Sequence, residues 1–224
     1  MMGRINVSVV VSLALWMSLV GIQPSLSGAE SPETLGKTIV VLGDSLAAGY
    51  GLDPSDSYPA ILQKKIGDAG WNFRVINAGV SGDTTAGGLR RLDWLLKRKI
   101  DVLLLELGGN DGLRGVAVES IKTNLQAIIE RVKRRYPEAQ IVILGMKMPP
   151  NLGVYAGRFN EIFPQVATEN KAALVPFLLE GVGGNRDLNL PDLIHPTVEG
   201  QKILAENVWR ILRPLLARNA RPAP

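Results

Sequence analysis

The chain has 224 residues, 46% of them hydrophobic, with a formal net charge of +4, one histidine and no cysteine. That length and apolar content suffice for one substantial core, and no composition shift or low-complexity stretch marks a second domain. The missing cysteines exclude disulfides and a lipidated anchor, while the small charge and scarce aromatics exclude a basic groove for nucleic acid.

Taken from its start, the chain opens with Arg4 before a largely apolar run from Val7 to Val20, followed by the small-residue stretch Ser25-Leu26-Ser27-Gly28-Ala29. This is the pattern of a secretory signal peptide over residues 1–29, cleaved near Ala29. Ser8, Ser12 and Ser18 interrupt the run, which also falls short of the roughly 20 residues a spanning helix needs. The expectation is an exported, soluble protein, periplasmic or secreted, with a folded domain over 30–217 and a frayed polar tail over 218–224.

Short aliphatic runs then alternate with longer amphipathic ones, which predicts parallel strands joined by crossover helices. Thr38 to Leu42 is the first strand. Ser57 caps a helix running to about Ala69, with Ile61, Leu62 and Ile66 inward and Gly70 as its stop. Phe73 to Asn77 is the second strand and Ala86 to Lys97 the next helix. Asp101 to Leu107 is a third strand, apolar enough to be buried on both faces. A helix over Val118 to Tyr136, a strand over Gln140 to Gly145, a helix over Phe159 to Lys171 and a strand over Ala173 to Phe177 follow. Val198 to Leu216 is the closing helix. The fold class is α/β, a three-layer α/β/α arrangement around a five-stranded parallel sheet of flavodoxin-like type. Ligands in such sheets gather outside the carboxyl ends of the strands.

Chemistry-bearing residues collect in loops that leave strands. The first such loop is Gly43-Asp44-Ser45-Leu46, continuing to Tyr50; the second carries Ser81-Gly82-Asp83-Thr84; the third is Gly108-Gly109-Asn110-Asp111. The single histidine, His195, ends the string Asp192-Leu193-Ile194-His195. Side chains at i and i+3 share one side of a helical turn, so Asp192 can orient one ring nitrogen and leave the other as a base. Taken singly, each residue also has a plain structural reading: Ser45 as a turn residue, Gly82 as a turn glycine, Asn110 as a loop tie. Asp44, Asp83 and Asp111 are read as braces for their loops.

In these four ordered blocks the chain resembles the SGNH, or GDSL, hydrolase family, and within it the bacterial acyl-CoA thioesterase I, arylesterase and lysophospholipase group. The resemblance spans about residues 38–216. It implies a serine ester hydrolase with Ser45 as nucleophile, His195 as general base and acid, and Asp192 fixing the imidazole tautomer. It also implies an oxyanion hole from the backbone N–H of Ser45, the backbone N–H of Gly82 and the side-chain amide of Asn110. No cofactor is implied, and no metal, since no second histidine or cysteine exists to complete an ordinary zinc set.

Other signatures fail. Gly36-Lys37-Thr38 lacks the upstream glycine of a phosphate-binding loop, there is no GxSxG elbow or SxxK, and Gly181-Val182-Gly183-Gly184 has no dinucleotide context. The apolar stretch Met146 to Tyr155 after the fourth strand is read as an acyl-chain groove, with Met148, Leu152, Tyr155 and Leu113 as its lining. The expected substrate is a small-molecule or lipid ester, with lysolipids and esters ahead of acyl-CoA for an exported enzyme. Transient contact with a lipid surface is in keeping with this, and the oligomeric state is left open. Two rival readings are a carbohydrate O-acetyl esterase with the same triad and a non-catalytic flavodoxin-like binding module.

Overall fold

A computed structural model describes residues 36–220. The expected signal peptide lies outside the described residues, as do the last four residues of the tail. The chain runs β1 (Lys37–Gly43), α1 (Ser45–Ala48), α2 (Tyr58–Asp68), β2 (Phe73–Gly79), α3 (Thr85–Leu95), β3 (Val102–Glu106), α4 (Gly109–Leu113), α5 (Val118–Arg135), β4 (Gln140–Leu144), α6 (Gly153–Asn170), β5 (Ala173–Val175) and α7 (Val198–Ala217).

All strand pairings are parallel and the sheet order is β2-β1-β3-β4-β5. Helices α2 and α7 pack together on one face, and α3, α5 and α6 on the other, so the central strands are covered on both sides. This is why β3 reads as an unbroken apolar run ending in a single acid: every residue from Val102 to Glu106 is buried. Strand order reverses between β1 and β3, and the crevice at that switch point lies at their carboxyl ends. The loop carrying Ser45 leaves β1, and the loop carrying Asn110 leaves β3.

Amphipathic spacing builds the covering layers. In α5, Ile121, Leu125, Ile128, Ile129 and Val132 form one buried stripe, while the basic residues Lys133, Arg134 and Arg135 sit in the last turn, where they complement the helix dipole. In α7, Leu204, Val208, Leu212 and Leu216 recur every four residues and are fully buried.

Three expectations are corrected. Ser57 holds the N-cap position of α2 and its carbonyl accepts from the Ile61 N–H, but its side chain makes no capping bond: the hydroxyl donates to the Pro54 carbonyl, and the Tyr58 N–H is met by the Gln201 side chain at 2.8 Å. Helix α6 begins at Gly153, six residues ahead of the expected Phe159, because Ala156 falls in phase with Phe159 and Phe163 and is buried with them. Strand β5 stops at Val175, where Pro176 removes the next ladder donor.

Candidate active site

Ser45 is the first residue of α1, a single turn capped by Asp44, whose carboxylate accepts from the Leu46 N–H at 3.0 Å. Gly49 takes the left-handed conformation at φ 72° that closes so short a helix. The turn packs Leu46 and Ala47 into the core and leaves Ser45 8% exposed. Its hydroxyl oxygen lies 2.9 Å from His195 Nε2, across 150 residues of sequence.

His195 is held by its own loop. Asp192 Oδ1 accepts from the backbone N–H groups of Ile194 and His195 at 2.9 and 3.0 Å, and Oδ2 lies 2.7 Å from His195 Nδ1. With Nδ1 protonated against the carboxylate, Nε2 is the acceptor for the Ser45 hydroxyl. The i, i+3 spacing works here through a tight non-helical turn, since Leu193 has φ 59° and no helix covers 192–195. The His195 backbone N–H, then its ring and the Ile194 N–H, hold the Asp192 carboxyl at about 2, well below its ordinary range. Tyr50 lies over the imidazole, ring centroids 4.3 Å apart; sequence reasoning singled out the loop to Tyr50 but assigned the ring no part.

Hydrogen bonds tie the three upper loops to one another. Asn110, in α4, donates its side-chain amide to Asp44 Oδ2 at 3.0 Å, joining the loop after β3 to the loop after β1. Arg91 donates through Nε to Asp83 at 2.7 Å and through Nη2 to the Gly43 carbonyl at 3.0 Å, joining the loop after β2 to the end of β1. Gly82 sits beside Asp83 at φ 78°, a conformation that favours glycine, and its carbonyl accepts from Arg114 at 3.1 Å. Asp111 accepts from both the N–H and hydroxyl of buried Thr85, at 2.9 and 2.7 Å, and so anchors α4 to α3. Asp44, Asp83 and Asp111 all brace loops.

The four residues read as groove lining separate into two groups. Leu113 and Leu152 are 61% and 44% exposed, and Tyr155 is half-buried, its hydroxyl donating to the Val116 carbonyl at 2.8 Å. Met148 is interior: its sulfur and methyl group fill the space against Gly112 beside the Phe159 ring, so it is core and not lining. Tyr50, Val80, Leu193 and Ile194 are further exposed apolar side chains in loops near the site residues. A cleft of about 440 Å³ between α3 and α5, lined by Asp93, Leu96, Arg131, Arg134 and Arg135, contains none of the site residues.

A parallel sheet between two helical layers, with a serine, an imidazole and a carboxylate linked in series at its carboxyl edge, defines an ester hydrolase of the SGNH type. Residues 41–203 match the model of the GDSL-like lipase/acylhydrolase family, and the chain belongs to that family. It is 47% identical over 182 residues to Esterase TesA of Pseudomonas aeruginosa, covering 80% of this chain and 90% of that one. It is 37% identical over 183 residues to the thioesterase 1/protease 1/lysophospholipase L1 of Escherichia coli K12, covering 80% and 85% respectively. A crystal structure of TesA superimposes with a TM-score of 0.76 at 45% identity, covering 80% of this chain and 99% of that one.

Proposed function

We propose that the protein is a broad-specificity esterase that hydrolyses aryl esters, acyl thioesters and lysophospholipids through an acyl-enzyme on Ser45. The observation that carries this reading is the linked set Asp192, His195 and Ser45, with contacts of 2.7 and 2.9 Å. Ser45 Oγ attacks the carbonyl carbon while its proton passes to His195 Nε2, leaving negative charge on the former carbonyl oxygen. The backbone N–H groups of Ser45 and Gly82 and the Asn110 amide are the donors for that oxyanion. Collapse breaks the bond to the alcohol or thiol, which takes the proton from His195. Water repeats the attack on the acyl-enzyme with His195 again as base, releasing the acid and restoring Ser45.

Exposed Leu113 and Leu152, with half-buried Tyr155, support an apolar acyl group over an acetylated sugar, because each methylene removed from water contributes about 0.8 kcal/mol. The first 29 residues support export before action. Among the described residues no helix is long and apolar enough to cross a membrane.

A substrate panel on the purified protein tests the reading. Aryl esters of increasing chain length, palmitoyl thioester and lysophospholipid should all be cleaved, with medium or long chains preferred. Ser45→Ala should abolish every activity. Full activity in that variant, or cleavage of acetylated xylan alone, overturns the proposal. Amino-terminal sequencing of the exported protein should begin near Glu30.

A further inference from the structure

Beneath Ser45 lies a carboxyl group that the hydrolytic steps do not use. Glu106 is the last residue of β3, and the parallel register sets it directly beside Gly43, the last residue of β1. It is fully buried, Oε2 accepts from the Asp44 N–H at 3.0 Å, and Oε1 has no hydrogen-bond partner among the described residues. A Cβ at position 43 would run into this carboxyl, so glycine there makes the room for it. Asp44, itself only 2% exposed, faces it with a second carboxyl whose two oxygens are engaged, one by the Leu46 N–H and one by the Asn110 amide. Tyr58, from α2, feels the charge of both carboxyls and has a buried hydroxyl that also lacks a partner among the described residues.

Two carboxyl groups in contact in a dry interior cannot both carry charge. Asp44 has a donor on each carboxylate oxygen, from Leu46 and Asn110, whereas Glu106 accepts on Oε2 from the Asp44 N–H and has no donor on Oε1 among the described residues. Burial first, and then the neighbouring Asp44 charge, push the Glu106 carboxyl well above its usual range. Burial raises the Asp44 carboxyl too, but its hydrogen bonds with Leu46, Glu106 and Asn110 pull it back, so the proton of the pair is assigned to Glu106.

We propose that Glu106 is a positioning residue for hydrolysis: as a neutral acid it donates to the Asp44 carboxylate and accepts from the Asp44 N–H, fixing the residue that holds both the Ser45 turn and the Asn110 amide. This rests on the reading of Asn110 as an oxyanion donor. A hydrogen-bonded carboxylate is a fixed acceptor, and a fixed acceptor leaves one N–H of the Asn110 amide pointing a single way. An oxyanion donor contributes only when its direction is set before charge develops. Without Glu106, Asp44 would keep its charge and lose a buried donor, and the amide it orients would be free to turn.

Glu106→Gln and Glu106→Leu, each alone and with Asn110→Ala, test this through kcat and KM on a soluble aryl ester. The glutamine amide can donate to Asp44 and accept from its N–H, so Glu106→Gln should keep most of the wild-type kcat. Glu106→Leu should lower kcat about 10–100-fold with KM little changed, the scale on which members of one hydrogen-bond network couple. Asn110→Ala should lower kcat about 10²–10³-fold, and adding Glu106→Leu to it should cost little more. Infrared difference spectra near neutral pH should show a protonated carboxyl band that Glu106→Gln removes. A Gln variant as damaged as the Leu variant, a Leu variant with wild-type kcat, or full additivity with Asn110→Ala overturns the inference. If Glu106→Leu does not fold, the Gln variant decides: retained kcat with loss of the band supports the inference, and lost kcat or an unchanged spectrum overturns it. Wild-type activity in Asn110→Ala sinks the oxyanion reading itself, a different result from failure at Glu106.

Discussion

Tyr50 covers one face of His195, with 4.3 Å between ring centroids and 35° between ring planes. The two residues come from opposite ends of the domain, Tyr50 just after the Ser45 turn and His195 just before α7. An aromatic pair of this geometry contributes about 0.5–1.5 kcal/mol beyond its buried area. The contact also limits rotation of the imidazole about its Cβ–Cγ bond, and so helps keep Nε2 on Ser45. Tyr50→Ala should lower kcat/KM on a short aryl ester by about 2–10-fold, while Tyr50→Phe should match wild type. Steady-state kinetics on the two variants checks this, and equal activity in Tyr50→Ala and wild type would rule it out.

Asp192 predicts a second outcome, through pH. Its carboxyl is held at about 2 against an ordinary 3.8, first by the His195 backbone N–H and then by the His195 ring. A carboxylate depressed on folding contributes stability that is complete above its ordinary value and is lost as pH falls through the folded one. The window is therefore from about pH 4 down to about pH 2. Asp192 is solvent-accessible, so the contribution is modest. Urea midpoints of wild type and Asp192→Asn should differ at pH 5 and converge towards pH 2. The same variant should lose activity at neutral pH by up to about 10⁴-fold, since Asn no longer fixes the Nδ1–H tautomer.

The alternation of strands and helices, the sheet's five strands and the four chemistry-bearing loops were all legible in the chain, because period, length and glycine placement are local signals. Contacts between distant segments left less trace. The start of α2 is met by Gln201, 143 residues away, and the hydroxyl of the cap residue Ser57 faces elsewhere. The apolar stretch Met146 to Tyr155 reads as a groove and hides the first turns of α6, although Ala156 in phase with Phe159 marks them. Glu106 was legible only as the one acid closing an apolar strand, and its pairing with Asp44 depends on sheet register. Met148 shows the converse: its place in a strand-exit loop suggested a groove wall, but the gap against Gly112 draws it inside.

Leu113, the last residue of α4, and Leu152, in the turn just before α6, expose large apolar surfaces. If they contact the acyl group, their removal should act on chain length and not on chemistry. Leu113→Ser with Leu152→Ser should shift the preferred aryl ester towards shorter chains. The penalty should grow by about fourfold per methylene that loses its contact, from about 0.8 kcal/mol each. Acetyl ester turnover should stay near wild type. A uniform loss across all chain lengths would show that these residues act on the site's structure.

Asp111 carries the largest expected effect on stability. It is 1% exposed, and its two oxygens accept from the N–H and the hydroxyl of Thr85, which is also fully buried. Asn124 donates to the same Thr85 hydroxyl at 3.1 Å, so three helices, α3, α4 and α5, meet at one polar knot. Asp111→Ala would leave both Thr85 donors in the interior without their acceptor, and each such group costs about 1–3 kcal/mol. Because α4 holds Asn110 next in sequence, the loss should spread to the site. Asp111→Ala should lower the urea midpoint and reduce kcat more than KM, while Asp111→Asn, which still offers one acceptor, should fall between it and wild type. Equilibrium unfolding beside kinetics on the two variants separates the effects: a kcat loss with an unchanged urea midpoint would mean that Asp111 acts on the chemistry and not through the fold.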